Sequence, residues 1–410
     1  MMENKVKKGP TIRYGFLQTG YWIDDLIIAN FAALFLSGRG FSTSQIGILT
    51  AAAALVSCFL QQFAGSFSDR YSDVFPLKYF LSILLGICIA CFLGLAFVPE
   101  GFLSTFVFYF TAISLQAVIN PLLNALCLQF TNNGYQINFG VARAMGSIGY
   151  AISGLVMGRI TDQFGSEIIL PVYLAVYITA FVILMFFFPI PQKDHNVKTT
   201  AGNQLVEEQP STMKEFFHKY HRFMVLMVGF VCMWFETLLM NTYMIYFIQD
   251  LGGNAGDMGT TLFVMAVAEI PAILFGNNIM KKIGAGKMLV IAALGGAVKS
   301  VLFFIAPDIH FFILLNFMHF FLSGFYQVSA VYYCYAIVGE KDIVKGQTVL
   351  GMTVYGIGCT IANYLGGIML ERMPHQMILF LCILLSVLGF FIILYVTDPK
   401  HFKNEKIRNI

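Results

Sequence analysis

Charged residues are scarce in this chain, and their scarcity indicates its class. Asp, Glu, Lys and Arg together make up 11% of the 410 residues, whereas 58% of the residues are hydrophobic. The mean hydropathy is +0.75. Because soluble domains carry about 25% charged residues, this composition excludes a water-soluble fold and indicates a membrane protein.

Other features are missing as well. All eight cysteines fall in apolar stretches, so no disulfide framework links the loops. Cys88 and Cys91 form a C-x-x-C without nearby ligand partners, and the histidines lack metal-ligand spacing, so we predict no metal and no cofactor. No basic patch interleaved with aromatic residues supports nucleic-acid binding. Motifs of zinc proteases, nucleophile-elbow hydrolases and phosphate loops are absent, and we predict that the chain is not an enzyme.

Apolar stretches long enough to cross a bilayer as helices recur twelve times. They cover residues 14–37, 44–66, 76–98, 103–127, 138–161, 166–189, 222–248, 257–279, 285–306, 309–337, 346–369 and 375–396. A polar stretch divides them into six and six. We therefore predict an all-α membrane protein with twelve transmembrane helices in two six-helix, pseudo-symmetric bundles. The predicted bundles are residues 1–190 and 222–410, and a cytoplasmic linker, 191–221, joins them.

Basic residues are unevenly distributed along the chain. If the N-terminus is cytoplasmic, only Arg39, Arg159 and Arg372 fall in outer loops, and most other Lys and Arg residues fall inside. This asymmetry satisfies the positive-inside rule. We predict a multi-pass protein of the cell membrane, monomeric, with both termini in the cytoplasm.

The two tryptophans reveal an internal repeat. Trp22 and Trp234 lie 212 residues apart, and each is followed two residues later by an acid, Asp24 or Glu236. Both pairs lie within long apolar segments. The chain thus resembles two copies of one membrane unit, each with a carboxylate at membrane depth, a pattern typical of secondary transporters.

Ionisable residues inside apolar stretches are rare without a function. Four acids, two bases and one histidine occupy such positions, and an unpaired buried acid tends to hold a proton. This imbalance favours a carrier that uses protons. The seven residues are Asp24, Asp25, Arg143, Glu236, Glu269, Lys299 and His319.

Helical geometry separates neighbouring candidates. Asp25, three residues after Trp22, shares its helix face, whereas Asp24 lies about 200° round the helix. A flat aromatic ring beside carboxylate and amide acceptors suits a sugar. Asp24 and Glu236 are then expected to contact neighbouring helices, although the opposite assignment remains open. The residues predicted to face the solute are Trp22, Asp25, Trp234 and Asn241.

A polar stripe marks the fourth span. Gln116, Asn120 and Asn124 recur every four residues and therefore share one helix face. A helix surrounded by lipid would not carry such a stripe. We predict that Asn120 and Asn124, together with Gln327 on the tenth span, bind solute, while other polar residues form interhelical hydrogen bonds.

Two segments resemble a known family. Twelve spans, a central loop and the segment G-S-F-S-D-R at 65–70 resemble the major facilitator superfamily across essentially the whole chain. Gly65, Asp69 and Arg70 are accordingly predicted to belong to a cytoplasmic gate. The segment F-G-V-A-R-A-M-G-S-I-G at 139–149 is similar to that of the lactose permease-like branch, the oligosaccharide and nucleoside proton symporters.

This resemblance implies roles for several residues. Arg143 falls on a sugar-binding arginine of the branch, whose glutamate partner is replaced here by Asn124, so that Asp24, Asp25 or Gln116 becomes the alternative partner. In the second half, Lys299 and His319 resemble a basic residue and a histidine of the branch, where the histidine serves sugar binding and coupling.

The usual proton-carrying glutamate of the branch is absent here. Its position is occupied by Leu322. We hypothesise that Glu236 or Glu269 replaces it, with Lys299 as the counter-charge, and we predict that Asp24 and His319 also take part in proton coupling. Glu269 also lies close to the position of a sugar-binding glutamate in the branch. Solute and coupling roles for Glu269 therefore both remain open.

These observations favour proton-coupled uptake of a sugar or related small polar solute by alternating access. The expected partners are the solute, protons and the lipid bilayer. A nucleoside–proton symporter is the nearest alternative. A proton-driven exporter is disfavoured, because many exporters carry a proline–glycine motif in the fifth span, and residues 146–158 contain no proline. A membrane enzyme or sensor ranks below both.

Overall fold

Nearly all described residues are helical. A computed structural model of the chain describes residues 7–71, 75–98, 101–133, 135–190 and 212–398. The helices of the first half are α1 (Thr11–Asn30), α2 (Ala32–Gly38), α3 (Thr43–Tyr71), α4 (Leu77–Phe97), α5 (Phe102–Asn132), α6 (Phe139–Phe164) and α7 (Ser166–Phe187). Those of the second half are α8 (Met213–Lys219), α9 (His221–Asp250), α10 (Ala255–Ile283), α11 (Ala285–Phe304), α12 (Ile309–Ile337), α13 (Ile343–Arg372) and α14 (His375–Thr397). Two short strands, β1 (Lys7–Lys8) and β2 (Tyr135–Gln136), pair in parallel.

The predicted transmembrane architecture is confirmed. Within the described residues, eleven helices are long and apolar enough to cross a membrane, and α1 with α2 makes a twelfth if the pair counts as one span. These two helices are bent by 55°. The bend falls at the buried Phe31, so the predicted first span, 14–37, is not one straight helix.

Packing divides the chain into two compact units. Unit 1 comprises Met1–Phe41 and Leu55–Val206, and unit 2 comprises Ser42–Ala54 and Glu207–Ile410. This division differs from the predicted bundles, which assign all of α3 to the first half. The boundaries of those bundles stay a prediction.

The grouping of Ser42–Ala54 with unit 2 has a local cause. A Cβ atom on Gly47 would lie 2.7 Å from the carbonyl oxygen of Asn363, and one on Gly367 would lie 2.4 Å from the carbonyl oxygen of Thr43. Only residues without a side chain allow two helices to approach so closely. The first turns of α3 therefore pack against α13.

Unit 1 is organised around the contact between α1 and α6. A Cβ atom on Gly146 would lie 2.6 Å from Cδ1 of Trp22, and one on Gly149 would lie 2.6 Å from Cγ2 of Thr19. Both distances are shorter than any real contact permits. Gly146 thus provides space that Trp22 occupies, and Gly149 provides space for Thr19.

We predict that Gly146→Ala lowers the stability of the protein. Overpacking costs about 1–3 kcal/mol, which exceeds the roughly 0.5–1 kcal/mol that alanine contributes to a helix relative to glycine. The midpoint of thermal unfolding in detergent should fall. Gly86→Ala is the matched control, because a Cβ atom on Gly86 would meet none of the described residues within 4 Å. A Gly146→Ala midpoint equal to or above that of the Gly86→Ala protein would contradict the packing described here.

Unit 2 is organised around α9, the most buried of the described spans. It packs against α14 with backbone contact, since a Cβ atom on Gly389 would lie 2.7 Å from the backbone nitrogen of Met233 and 2.8 Å from the carbonyl oxygen of Gly229. Glu236, Thr237 and Thr242 in the middle of α9 are accordingly buried. Helix α12 contains a π-helical turn, Phe320–Phe325, a local irregularity that is frequent at functional sites.

Part of the predicted linker is folded against unit 2. Residues 191–211 lie outside the described residues, but α8 begins at a capping box formed by Thr212 and Glu215. The backbone N–H of Thr212 donates to the Glu215 carboxylate and lowers the pKa of Glu215. Phe216 is buried, and the hydroxyl of Tyr220 donates to Oδ2 of Asp342 at 3.1 Å. Local capping and burial therefore determine where this helix begins and how it docks.

Candidate functional site

In unit 1, polar side chains join α1 to α5. Nε1 of Trp22 donates to Oε1 of Gln18 at 3.2 Å, and Nε2 of Gln18 lies 2.7 Å from the Tyr14 hydroxyl and 3.3 Å from Oδ1 of Asn124. Nδ2 of Asn124 donates in turn to Oδ1 of Asn120 at 3.4 Å. Two predicted solute-binding residues of the fourth span thus belong to the network of Trp22.

Arg143 lies over the face of Trp22. Its Cζ is 4.0 Å from the ring centroid, and its Nη1 donates to Oγ of Ser147 at 2.8 Å. A guanidinium on an indole face is stabilised by the ring quadrupole, by about 0.5–2 kcal/mol according to its desolvation. Arg143 and Trp22 therefore form one side of a polar and aromatic surface on α1 and α6.

The adjacent acids of α1 have different surroundings. Asp25 is partly exposed and accepts a hydrogen bond of 3.3 Å from the Tyr21 hydroxyl. Asp24 is buried, and its Oδ1 has no hydrogen-bond partner among the described residues. Gln116 does not bind either acid through a hydrogen bond in the structure; it donates to the Tyr21 carbonyl at 3.2 Å and accepts from the Tyr177 hydroxyl.

In unit 2, Lys299 connects two predicted residues. Its Nζ lies 3.5 Å from Oε1 of Glu236 and 3.2 Å from Nε2 of His319. All three side chains are almost completely buried. Four helices contribute to this group, because Glu269 on α10 lies next to His319, with 3.5 Å between Oε1 and Nδ1.

The contact with Lys299 determines the tautomer of His319. An ammonium group has only donors, so Nε2 of His319 must be the acceptor. In the neutral ring the proton then resides on Nδ1, the nitrogen that faces Glu269. His319 therefore lies between an ammonium group and a carboxylate, although Nδ1, 3.5 Å from Glu269, does not form a hydrogen bond to any described residue.

Uncharged side chains complete both ends of this group. Oγ of Ser300 donates to Oε2 of Glu236 and lies 2.9 Å from Oγ of Ser386. At the other end, Nε2 of Gln327 donates to Oε2 of Glu269 at 3.2 Å. We call Glu236, Lys299, His319 and Glu269 the charge chain of unit 2.

The charge chain is not neutral when both acids are ionised. Two carboxylates and one ammonium group leave one negative charge if His319 is neutral. Unbalanced charge in a low-dielectric interior is costly. One additional proton on the chain removes the imbalance, and Glu269, the most exposed of the four side chains, is the one nearest to solvent.

Trp234 is more enclosed than Trp22. Its ring lies with centroid distances of 5.0 Å from Tyr326 and 6.4 Å from Tyr355, and it is 4% exposed. Its Nε1 has no hydrogen-bond partner in the described part of the chain. Asn241, further along α9, is partly exposed. The predicted solute contacts of Trp234 and Asn241 stay predictions.

The predicted gate residues lie at the end of α3. A Cβ atom on Gly65 would meet nothing within 4 Å among the described residues, so this glycine is not at a close helix contact in the structure. Arg70 is exposed, with Cζ 5.7 Å from the Tyr71 ring centroid. The side chain of Asp69 lies outside what the structure describes, and the gate stays a prediction.

Several site residues carry no signal in the sequence alone. Gln18, Ser300 and Ser386 are uncharged residues of types that are common in helices. Gln18 precedes Trp22 by one helical turn and Ser300 follows Lys299 directly, which is the only indication of their contacts. Among the described residues, no group of three or more His, Cys, Asp or Glu side chains is arranged to hold a metal ion.

We predict that Lys299→Gln destabilises unit 2. Removal of one partner leaves uncompensated charge in a buried site, at a cost of about 3–5 kcal/mol. The thermal midpoint in detergent should fall clearly. The double variant Lys299→Gln with Glu236→Gln should recover much of this loss, because it removes a buried carboxylate with its counter-charge. Equal midpoints for the single and double variants would show that the two side chains do not depend on each other.

Comparison with known proteins places these arrangements in context. The model of a family described as the MFS_1-like family matches residues 27–382. The chain is 23% identical to the uncharacterized transporter YwbF of Bacillus subtilis, over 95% of this chain and 93% of that protein. It is 20% identical to maltose permease of Geobacillus stearothermophilus, over 89% of each. The fold is similar to that of the nucleoside transporter NupG, with a TM-score of 0.76, 15% identity and coverage of 95% of this chain and 98% of that chain.

Proposed function

Because this chain belongs to the MFS_1-like family, within the major facilitator superfamily, we propose that it couples the uptake of a sugar or related small polar solute to the entry of protons. That it is a membrane transporter follows from the family. Proton coupling, the class of solute and the direction of transport are the parts that we propose. The mechanism we expect is alternating access, in the cell membrane, by a monomer with cytoplasmic termini.

The charge chain of unit 2 is the observation that supports proton coupling. Glu236 and Glu269 share one lysine, so that the chain is balanced only when one further proton is present. A carrier that moves through neutral states avoids carrying net charge through the membrane. We therefore assign the coupled proton to this chain, with Lys299 as the fixed counter-charge and His319 as the connecting group.

The surface of Trp22 and Arg143 in unit 1 supports a hydroxylated solute. An indole ring packs well against the apolar C–H face of a sugar ring. Guanidinium and amide groups bind the hydroxyl groups at the edge of the same ring. Asn124 and Asn120 are connected to this surface through Gln18, and Asp25 is connected to it through Tyr21. In unit 2, Glu269 with Gln327 is the corresponding pair of polar groups. The relationship to a maltose permease agrees with this solute class.

A nucleoside is the second candidate solute. The aromatic and polar surface of Trp22 also suits a ribose with an attached base, since bases stack on aromatic rings. NupG, whose fold this chain shares, is a nucleoside transporter. Competition between nucleosides and sugars for uptake distinguishes the two solute classes.

We expect solute-driven proton entry into liposomes that contain the purified protein. A pH-sensitive dye inside the liposomes records acidification when a transported sugar or nucleoside is added outside. Panels of mono- and disaccharides and of nucleosides identify the solute. Transport of a solute without any dye response would contradict proton coupling and would leave a uniporter.

Single replacements distinguish the two acids of the charge chain. Glu236→Gln should retain solute exchange but lose uphill accumulation, because the buried acid would no longer take up and release a proton. Glu269→Gln should weaken solute binding as well, since Glu269 is partly exposed and bound to Gln327. Uphill accumulation by both variants would show that neither acid carries the proton.

We predict that Arg143→Lys reduces solute affinity by at least tenfold while the protein remains folded. A bidentate or stacked guanidinium is not replaced by an ammonium group, and ten-fold corresponds to about 1.4 kcal/mol. Binding of the identified solute by calorimetry provides the measurement. Lys281→Arg is the control for a change between the same residue types outside the site. An unchanged affinity in Arg143→Lys would remove Arg143 from the solute site.

A further inference from the structure

Asp24 lines a cavity in unit 1 and is not a member of the charge chain of unit 2. Its side chain is 1% exposed, and Oδ1 has no hydrogen-bond partner among the described residues. Within the same part of the chain no cationic side chain forms a salt bridge with it. Asp24 lines a narrow, mostly enclosed cavity within unit 1 whose volume of about 10 Å³ is at the lower limit for a single water molecule.

The polar side chains that line this cavity with Asp24 are already hydrogen-bonded to other groups. Gln116 uses its amide nitrogen for the carbonyl of Tyr21 and its amide oxygen for the hydroxyl of Tyr177. The remaining residues that line the cavity are leucine, isoleucine and alanine. No group in this pocket is therefore available to balance a carboxylate charge.

An ionised Asp24 would be a buried charge without a partner. Such a charge costs several kcal/mol even after the surroundings relax, whereas a neutral carboxylic acid needs no counter-ion. A sodium ion would need several oxygen ligands, and the side-chain oxygen of Gln116 already accepts from Tyr177. A proton requires only the carboxylate itself and fits the space.

We propose that Asp24 holds a proton of its own, so that unit 1 contains a protonation site in addition to the charge chain of unit 2. The cavity, the burial and the missing partner of Asp24 carry this inference. The role of this proton in transport rests on the proposed proton-coupled function. The presence of the proton can be established without any transported solute.

The titratable groups that face Asp24 do not alter this assignment. On α1 they are Asp25 and Tyr21, on α4 Cys88, and on α7 Tyr173 and Tyr177. Helix α5 contributes Gln116, which does not titrate. Cysteine and tyrosine side chains are neutral near pH 7. The charge of Asp25, when present, opposes a second negative charge on its neighbour and so favours the proton on Asp24.

Helix α1 connects this site to the proposed solute surface. Asp25 follows Asp24 directly and accepts from the Tyr21 hydroxyl, while the Tyr21 ring meets the Trp22 ring edge-on at 5.2 Å. Arg143 lies over the face of the same Trp22 ring. A change in the charge of Asp24 therefore acts on a single turn of helix that also carries the solute contacts.

Infrared spectroscopy of the purified, solute-free protein tests the proton on Asp24 directly. We expect the carbonyl stretch of a protonated carboxyl group at neutral pH, sensitive to exchange into heavy water, and a loss of intensity in Asp24→Asn. Asp25→Asn is the matched control and should retain that component. Because asparagine has the shape of a protonated aspartate, Asp24→Asn should fold, and its thermal midpoint verifies this.

Two infrared results would overturn the proposal. One is an Asp24→Asn spectrum with the same protonated-carboxyl intensity as the unmodified protein. The other is loss of the Asp24 component on addition of sodium chloride at constant pH, which would assign the pocket to a sodium ion. Neither result depends on whether transport is coupled to protons.

A transport measurement tests the consequence separately. In liposomes, Asp24→Asn should take up solute with one proton fewer per solute than the unmodified protein. An unchanged ratio, together with an infrared signal from Asp24, would show that the proton is bound permanently and would overturn its participation in the cycle. An unmodified protein without proton flux would contradict the proposed function while the infrared result for Asp24 still stands.

Discussion

Charge within a bilayer must be balanced locally, and this constraint shapes both units of the protein. Water is not available in the hydrocarbon region to solvate an ion, so each ionisable side chain needs a partner, a proton or access to a polar surface. Lys299 illustrates the first solution, because it lies between the carboxylate of Glu236 and the imidazole of His319. Replacing any one of these three side chains changes the electrostatic environment of the other two.

The two units meet this constraint in different ways. Unit 2 places its acids on α9 and α10 and gives them one lysine and one histidine. Unit 1 places two acids side by side on α1 and its arginine on the face of Trp22. The tryptophan–acid pattern is thus repeated in both units, while the surroundings of each acid differ. Asp24 and Glu236 occupy matching positions, yet only Glu236 has a cationic partner among the described residues.

The sequence predicts much of the fold but only part of the site, because the bilayer constrains the spans whereas contacts between distant residues determine the site. Length and hydropathy identify spans well because the bilayer fixes both, and the family resemblance was confirmed over residues 27–382. The bend at Phe31 and the π-helical turn after His319 were not predicted, because neither coincides with a proline or a strong local signal. The packing of α3 against Gly367 depends on a contact between distant residues, which periodicity does not reveal.

Helical spacing separated Asp24 from Asp25 but did not identify what surrounds each acid. Partners such as Gln18, Ser300 and Ser386 are ordinary helix residues, and only the packing of helices brings them to the charged groups. The expected pairing of Arg143 with Asp24, Asp25 or Gln116 stays a prediction, and the structure adds contacts of Arg143 with Trp22 and Ser147. The contact between Arg143 and the Trp22 ring has no signal in the sequence, because it depends on how α1 and α6 pack.

The tryptophan content gives the molecule one natural fluorophore in each unit. Trp22 is partly exposed beneath a guanidinium group, and Trp234 is enclosed by Tyr326 and Tyr355. Their emission should differ in wavelength, since a solvated indole emits further to the red than an enclosed one. Replacing either ring by phenylalanine would leave a single optical reporter, so that rearrangements of the two units become visible one at a time and without an attached dye.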